Sequence, residues 1–154
     1  MTFTSSECHF SGRHTWRPYV ATIDIMENLR LYKKEKLCSE IAIGQLFGPD
    51  RADDVQSALV YPLRMVWRSN PRRRSDAPVQ FLITIPKKRL RHAVDRVLMR
   101  RRVREAFRLT RHDCPLAAGQ RLDVAFVYVA NTLEPYDRVS RAMRRLLQRL
   151  STPD

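Results

Sequence analysis

Nowhere among the 154 residues is there an unbroken apolar run of the roughly 18 that a membrane-crossing helix needs. The leading stretch, MTFTSSECHFSGRHTWRPYV, lacks a charged segment followed by an apolar one, which excludes a secretory signal. Cysteine is scarce: Cys8, Cys38 and Cys114 are odd in number and far apart. That argues against a disulfide framework and for free thiols in a reducing cytoplasm. Cys8, His9 and His14 lack the CxxC or HxxxH spacing of a zinc site. His9, His14, His92 and His112 are scattered, with no Asp/Glu cluster beside them, so no catalytic set is expected in this chain. Acidic residues are also short, 16 against 29 Lys and Arg, for a net charge of +13. Such an excess repels itself in the compact state and attracts polyanions. Nucleic acid is the first partner to consider, then an anionic membrane surface or an acidic protein.

What is present suits one domain with a real core, since 44% of the residues are hydrophobic. Residues 1–28 have weak periodicity and read as a poorly ordered extension. Patterned sequence begins at Met26, which suggests a start there or a dispensable leader. Residues 29–151 form the expected domain and 152–154 a tail. SEIAIGQLFG reads as a short helix capped by Ser39, with Ile41, Leu46 and Phe47 as its apolar positions, stopped at Gly48-Pro49. ALVYPLRMVWR reads as one strand in which Pro62 marks an edge or bulge. SNPRRRSDAP reads as a turn, so VQFLITI is expected to pair as its hairpin partner and, being apolar almost throughout, as a central strand. Neither Gly nor Pro interrupts the sequence from about Leu90 to Arg111, which predicts a long helix that Cys114-Pro115 and Ala118-Gly119 break. RLDVAFVYVA is a third strand. EPYDRVSRAMRRLLQRL is a last helix with Val139, Met143, Leu146, Leu147 and Leu150 as its apolar stripe. The order is α-β-β-α-β-α, an α+β sandwich, with no internal repeat.

The long helix is unusually basic. Arg96, Arg100, Arg104 and Arg108 recur at i, i+4 and drift only about 40° per step, so they form one ridge, with Arg101 and Arg111 on its flanks. Leu98, Met99, Val103, Ala106 and Leu109 are expected to face the sheet. Like charges at this spacing destabilise a helix by a few tenths of a kcal/mol per pair, and phosphates laid on the ridge relieve that. A solvated face is the ordinary reading of a charge run. Here the ridge is arginine, whose planar fork suits phosphate. Lys87, Lys88, Arg89 and Arg91 stand just before it, and Arg138, Arg141, Arg144, Arg145 and Arg149 repeat the bias in the last helix.

Strands separate the helices, so helix-turn-helix binding to DNA is not expected. A sheet bearing aromatic rings suits single-stranded nucleic acid. Phe47 on the first helix and Tyr61, Trp67, Phe81, Phe126 and Tyr128 on strands are available. Phe126 is expected in the core. For Tyr61 and Phe47 both core and base stacking stay open.

The stretch FLITIPKKRLRHAVDRVLMRRRVREAFR resembles the signature region of the bacterial ribonuclease P protein component. Lys87-Lys88 match that family's lysine pair; Ala93, Arg96, Arg100, Arg101, Arg104 and Glu105 match its helix. KKEKLCSEIAIGQLF looks like the family's opening and LDVAFVYVANTLEPYDRVSRAMRRLLQRL like its closing strand and helix, so the likeness runs from about residue 30 to 150. It departs at Arg96-Val97-Leu98, where the family has Arg-Asn-Arg. Only Arg96 is carried over there.

The resemblance implies a fold like the second domain of ribosomal protein S5, with a left-handed βαβ crossover against the general right-handed rule. It implies a large catalytic RNA as partner, which supplies the chemistry with Mg²⁺ and cleaves the 5′ leader from precursor tRNA. The protein would bind no DNA or membrane, require no protein partner and act in the cytoplasm. Lys87, Lys88, Arg89, Arg91, Arg96, Arg100, Arg101, Arg104 and Arg108 would contact the RNA subunit. Phe47, Tyr61 and Trp67 would line a leader-binding cleft between the first helix and the sheet. The alternative is a ribosomal or ribosome-assembly RNA-binding protein with no role in cleavage.

Overall fold

The computed structural model of the protein describes residues 30–48, 53–112 and 121–151. The expected extension, the Met26 start, Cys8, His9, His14, the breaker sequence at Cys114-Pro115 and Ala118-Gly119, and the tail lie outside these residues. A compact unit runs from Leu31 onward. Its elements are α1 (Glu40–Phe47), β1 (Gln56–Val60), β2 (Leu63–Ser69), β3 (Val79–Thr84), α2 (Ala93–Thr110), β4 (Leu122–Tyr128) and α3 (Tyr136–Ser151), with a short 3₁₀ turn at Lys33–Glu35. The fold is α+β as expected, with three helices on a four-stranded mixed sheet.

The strand count differs from expectation because ALVYPLRMVWR is a hairpin rather than one strand. Tyr61-Pro62, joined by a cis peptide, makes its turn, and β1 pairs antiparallel with β2 from Gln56↔Trp67 to Val60↔Leu63. The sheet order is β1-β2-β4-β3. The expected β2–β3 hairpin does not form, because β4 inserts between them, antiparallel to β2 and parallel to β3. β3 therefore lies at the edge, outside the central place its apolar sequence suggested. The chain at Lys36 covers that edge with one parallel bridge to Phe81, and the Leu37 N–H donates to the Phe81 carbonyl at 3.0 Å. The central strand is β4, whose alternate residues Val124/Phe126 and Asp123/Ala125 are all buried, one set on each face.

Two cores follow from this strand parity. On one face, Leu63, Met65, Phe81, Val124, Phe126 and Tyr128 meet Met99, Val103, Ala106 and Phe107 of α2 and Val139, Met143, Leu146 and Leu147 of α3. Phe107 packs its ring at 4.6 Å from Phe81 and 5.5 Å from Phe126. On the other face, Ala42 and Leu46 of α1 pack with Leu37, Val55, Val66 and Ala125. Helix α1 begins where the Ser39 hydroxyl accepts from the Ala42 N–H. It ends at Gly48, where a Cβ would sit 2.6 Å from the Gly44 carbonyl oxygen, so only glycine closes this turn. Ile41 and Phe47 turn outward, and Ala42 with Leu46 forms the buried i, i+4 pair.

The long β2–β3 connection is held from below. Asp123, fully buried, accepts from the Arg73 guanidinium at 2.8 Å and from the Asn70 amide at 2.7 Å. Arg73 also donates to the Leu122 and Ala77 carbonyls, and Arg121 donates to the Arg73 carbonyl at 2.7 Å. The middle arginine of PRRRSD is thus a clamp inside the fold.

Candidate nucleic-acid interface

β3 runs into a tight turn at Pro86, whose carbonyl accepts from the Arg89 N–H at 2.9 Å, and buried Leu90 anchors the chain before α2 begins. Lys87, Lys88 and Arg91 project from this turn into solvent. Arg89 is partly buried and donates to the Asn131 side chain at 3.0 Å.

Along α2 the arginines divide into two groups. Arg96 folds back on the turn, donating to the Leu90 and Arg91 carbonyls at 2.9 and 2.6 Å. Arg102 donates to the Glu134 carbonyl at 2.7 Å and so ties α2 to the start of α3. Arg108 holds Glu105 through two hydrogen bonds, which keep the Glu105 carboxyl below the usual carboxylate range. Arg111 pairs with Glu35. Arg100, Arg101 and Arg104 are exposed and make no hydrogen bond or ion pair among the described residues. The ridge read from i, i+4 spacing is present, but its guanidiniums free for an anion are these three. Only Arg108 has a partner at helical spacing, Glu105; periodicity cannot show the others, whose partners are two turn carbonyls, the Glu134 carbonyl just before α3 and Glu35 in a distant turn.

The buried side of α2 also departs from expectation. Met99, Val103 and Ala106 face the sheet as expected, and Phe107 and Thr110 join them. Leu98 and Leu109 are 38% and 39% exposed. They lie roughly 100–120° from the centre of the buried stripe, so a helix seated on Phe107 turns them outward.

On the opposite face of the sheet, α1 and the strands enclose a cleft of about 410 Å³. Phe47, 46% exposed, stands on one wall; Arg64 and Val66 of β2, Val127 of β4, and Lys88 and Arg89 of the Pro86 turn also line it. An aromatic face beside three cations can take a base and its phosphates together. The same turn that lines this cleft leads directly into the arginine helix.

Of the other two aromatics expected here, neither lines the cleft. Trp67 shares its side of β2 with Leu63 and Met65 and packs against the helix-side core. Tyr61 sits in the β1–β2 turn, and its hydroxyl donates to Glu134 at 2.9 Å. Arg64 is the cleft residue that the sequence reading missed. Its signal was strand parity: once Pro62 is a turn, Arg64 and Val66 share the face opposite Leu63 and Met65.

Glu134 collects the helix layer. Its carboxylate accepts from Tyr61, from Thr132 at 3.3 Å and from Arg138 at 2.8 Å, and its N–H donates to the Tyr128 hydroxyl at 3.1 Å. The Tyr61 hydrogen bond, reinforced by the Arg138 charge, holds the Glu134 carboxyl below its ordinary range. The same bond raises the Tyr61 hydroxyl, and burial raises that of Tyr128. Among the described residues no three His, Cys, Asp or Glu side chains gather as a metal-ligand set. No helix there is long and apolar enough to cross a membrane.

Comparison with known proteins agrees with the sequence resemblance. The family model for ribonuclease P matches residues 32–151. Two relatives, each called ribonuclease P protein component and each from a strain of Porphyromonas gingivalis, align over most of the chain. One is 32% identical over 134 residues, covering 85% of this chain and 89% of the relative. The other is 36% identical over 124 residues, covering 79% and 86%.

Proposed function

The chain belongs to the ribonuclease P protein family, and on that premise we propose that it is the non-catalytic protein subunit of the ribonucleoprotein that matures the 5′ ends of tRNA. The observation that carries the proposal is the continuity of two surfaces. A cleft with Phe47, Arg64, Lys88 and Arg89 passes through one turn into a helix displaying Arg100, Arg101 and Arg104.

In this reading the free arginines, with Lys87 and Arg91, take phosphates of the RNA subunit, and the cleft takes the single-stranded leader. Arg96, Arg89 and Arg108 act mainly by shaping the turn and helix that present the others. Val97 and Leu98, where the family has Asn and Arg, leave the first turns of α2 apolar and exposed, so the RNA contact shifts toward Arg100 and Arg101. The parallel β3–α2–β4 unit would carry the left-handed crossover that the family resemblance implies. Mg²⁺ would be held by the RNA and supply the hydrolytic chemistry there. The protein screens repulsion between two RNAs and positions the leader.

The test is cleavage of precursor tRNA by the cognate RNA subunit at low Mg²⁺, with and without the protein. Strong stimulation, reduced by Arg100→Gln/Arg104→Gln, is expected. Tight RNA binding with no stimulation would instead favour a ribosomal or ribosome-assembly role.

A further inference from the structure

Helix α3 carries a second arginine stripe that the cleft and the α2 ridge do not use. Residues 136–151 contain five arginines and one acidic residue, Asp137. At 100° per residue, Arg138, Arg141, Arg145 and Arg149 fall within about 80° of arc and recur every three or four residues. Arg138 is engaged by Glu134. Arg141 makes only a long 3.4 Å bond to the Asp137 carbonyl, and Arg145 and Arg149 make none among the described residues. All three are exposed. Their steps of four residues place charges about 6 Å apart along the axis, a spacing that strains the helix when bare.

Two features decide what this stripe meets. The apolar side of α3 is already committed: Val139, Met143 and Leu146 have no exposure and Leu147 only 5%. A folded α3 therefore has no apolar face to sink into a bilayer, and what it offers is charge alone. The α2 ridge also points elsewhere. Arg102 marks the side of α2 turned toward α3, and Arg100 and Arg104 lie about 160° round the helix from it.

We propose that Arg141, Arg145 and Arg149 form a second phosphate-backbone contact for structured RNA, separate from the α2 ridge. The inference rests on the ribonuclease P reading and adds a surface to it. We assign the phosphates to the RNA subunit, because α3 lies in the same helix layer as the α2 ridge, on the face of the sheet away from the leader cleft.

The test uses the full chain with Arg141→Gln/Arg145→Gln/Arg149→Gln. Binding is measured to the RNA subunit alone, and separately to precursor tRNA by the assembled complex, over about 50–200 mM salt. Each lost phosphate contact lowers the slope of log K against log salt by about 0.9, so a fall of about 2–3 is expected in the titration of the RNA subunit. A fall confined to the precursor tRNA titration would overturn this assignment. The same positions changed to Lys should keep the wild-type slope. Unchanged slopes in both titrations, with wild-type melting, would overturn the proposal while leaving the α2 reading intact. So would loss of binding to phosphatidylserine vesicles with both RNA slopes intact. If the wild-type protein fails to bind the RNA subunit, the ribonuclease P reading itself falls. Should the triple variant unfold, Arg145→Glu alone replaces it, with an expected fall of about 1 or more.

Discussion

Asp123→Asn tests whether the clamp beneath the β2–β3 connection holds the fold. The Asp123 side chain has no exposure and the Arg73 side chain only 7%. Removing the negative charge leaves a buried guanidinium without its counter-ion, and the new amide can accept through only one atom. Breaking such a buried pair costs about 3–5 kcal/mol. In a domain stabilised by about 5–15 kcal/mol, that is a large fraction of the total. At about 3–5 °C per kcal/mol for a body of this size, the melting temperature should fall by about 10–25 °C. Arg73→Met should be similarly harmful. The double change Arg73→Met/Asp123→Asn should lose less than the sum of the singles, because neither charge is left stranded. Thermal and urea denaturation of the four proteins gives the cycle. Below its melting temperature, the Arg73→Met protein should keep the wild-type salt slope for RNA, since this arginine faces inward. A cost under about 1 kcal/mol for Asp123→Asn, or strict additivity in the double variant, would refute the argument.

Other outcomes follow from the interface. Arg100→Gln/Arg104→Gln should lower the salt slope for the RNA subunit by about 1.8, making the affinity loss between 50 and 200 mM salt about tenfold smaller; filter binding reads this. Phe47→Ala should weaken precursor tRNA by about 1–3 kcal/mol and mature tRNA little, if a leader base stacks there; equal losses on both would move the leader elsewhere. Tyr61→Phe removes the donor that most depresses the Glu134 carboxyl. A carboxyl whose folded pKa lies below its unfolded value stabilises above about 4.3, and that contribution is lost as pH falls through the folded value. The wild-type advantage over Tyr61→Phe in melting should therefore be full at pH 7 and shrink in acid. An advantage that grew on acidification would reverse the sign assigned here.

The two long helices were legible because each has a 3.6-residue apolar stripe without Gly or Pro, and α1 because Ser39 and Gly48 bracket it. The sheet was less legible. Pairing between β4 and both β2 and β3 is set by contacts far apart in sequence, and VQFLITI looks equally apolar at an edge or a centre. Pro62 read as a flaw in one strand because two short strands and a two-residue turn differ from it only in the register they adopt.

The sequence by itself determined that this is a basic α+β protein of the ribonuclease P family, because charge excess, helical periodicity and the Lys87-Lys88 to Arg104-Glu105 pattern are all local. Only the tertiary structure decided which arginines are available. Arg73 meets Asp123, Arg102 meets the Glu134 carbonyl, Arg111 meets Glu35, and Arg100, Arg101 and Arg104 make no hydrogen bond or ion pair among the described residues. A guanidinium carries the same charge in every case. Whether it stays open to an anion or holds the fold depends on which carboxylate or carbonyl the chain brings within about 3 Å of it.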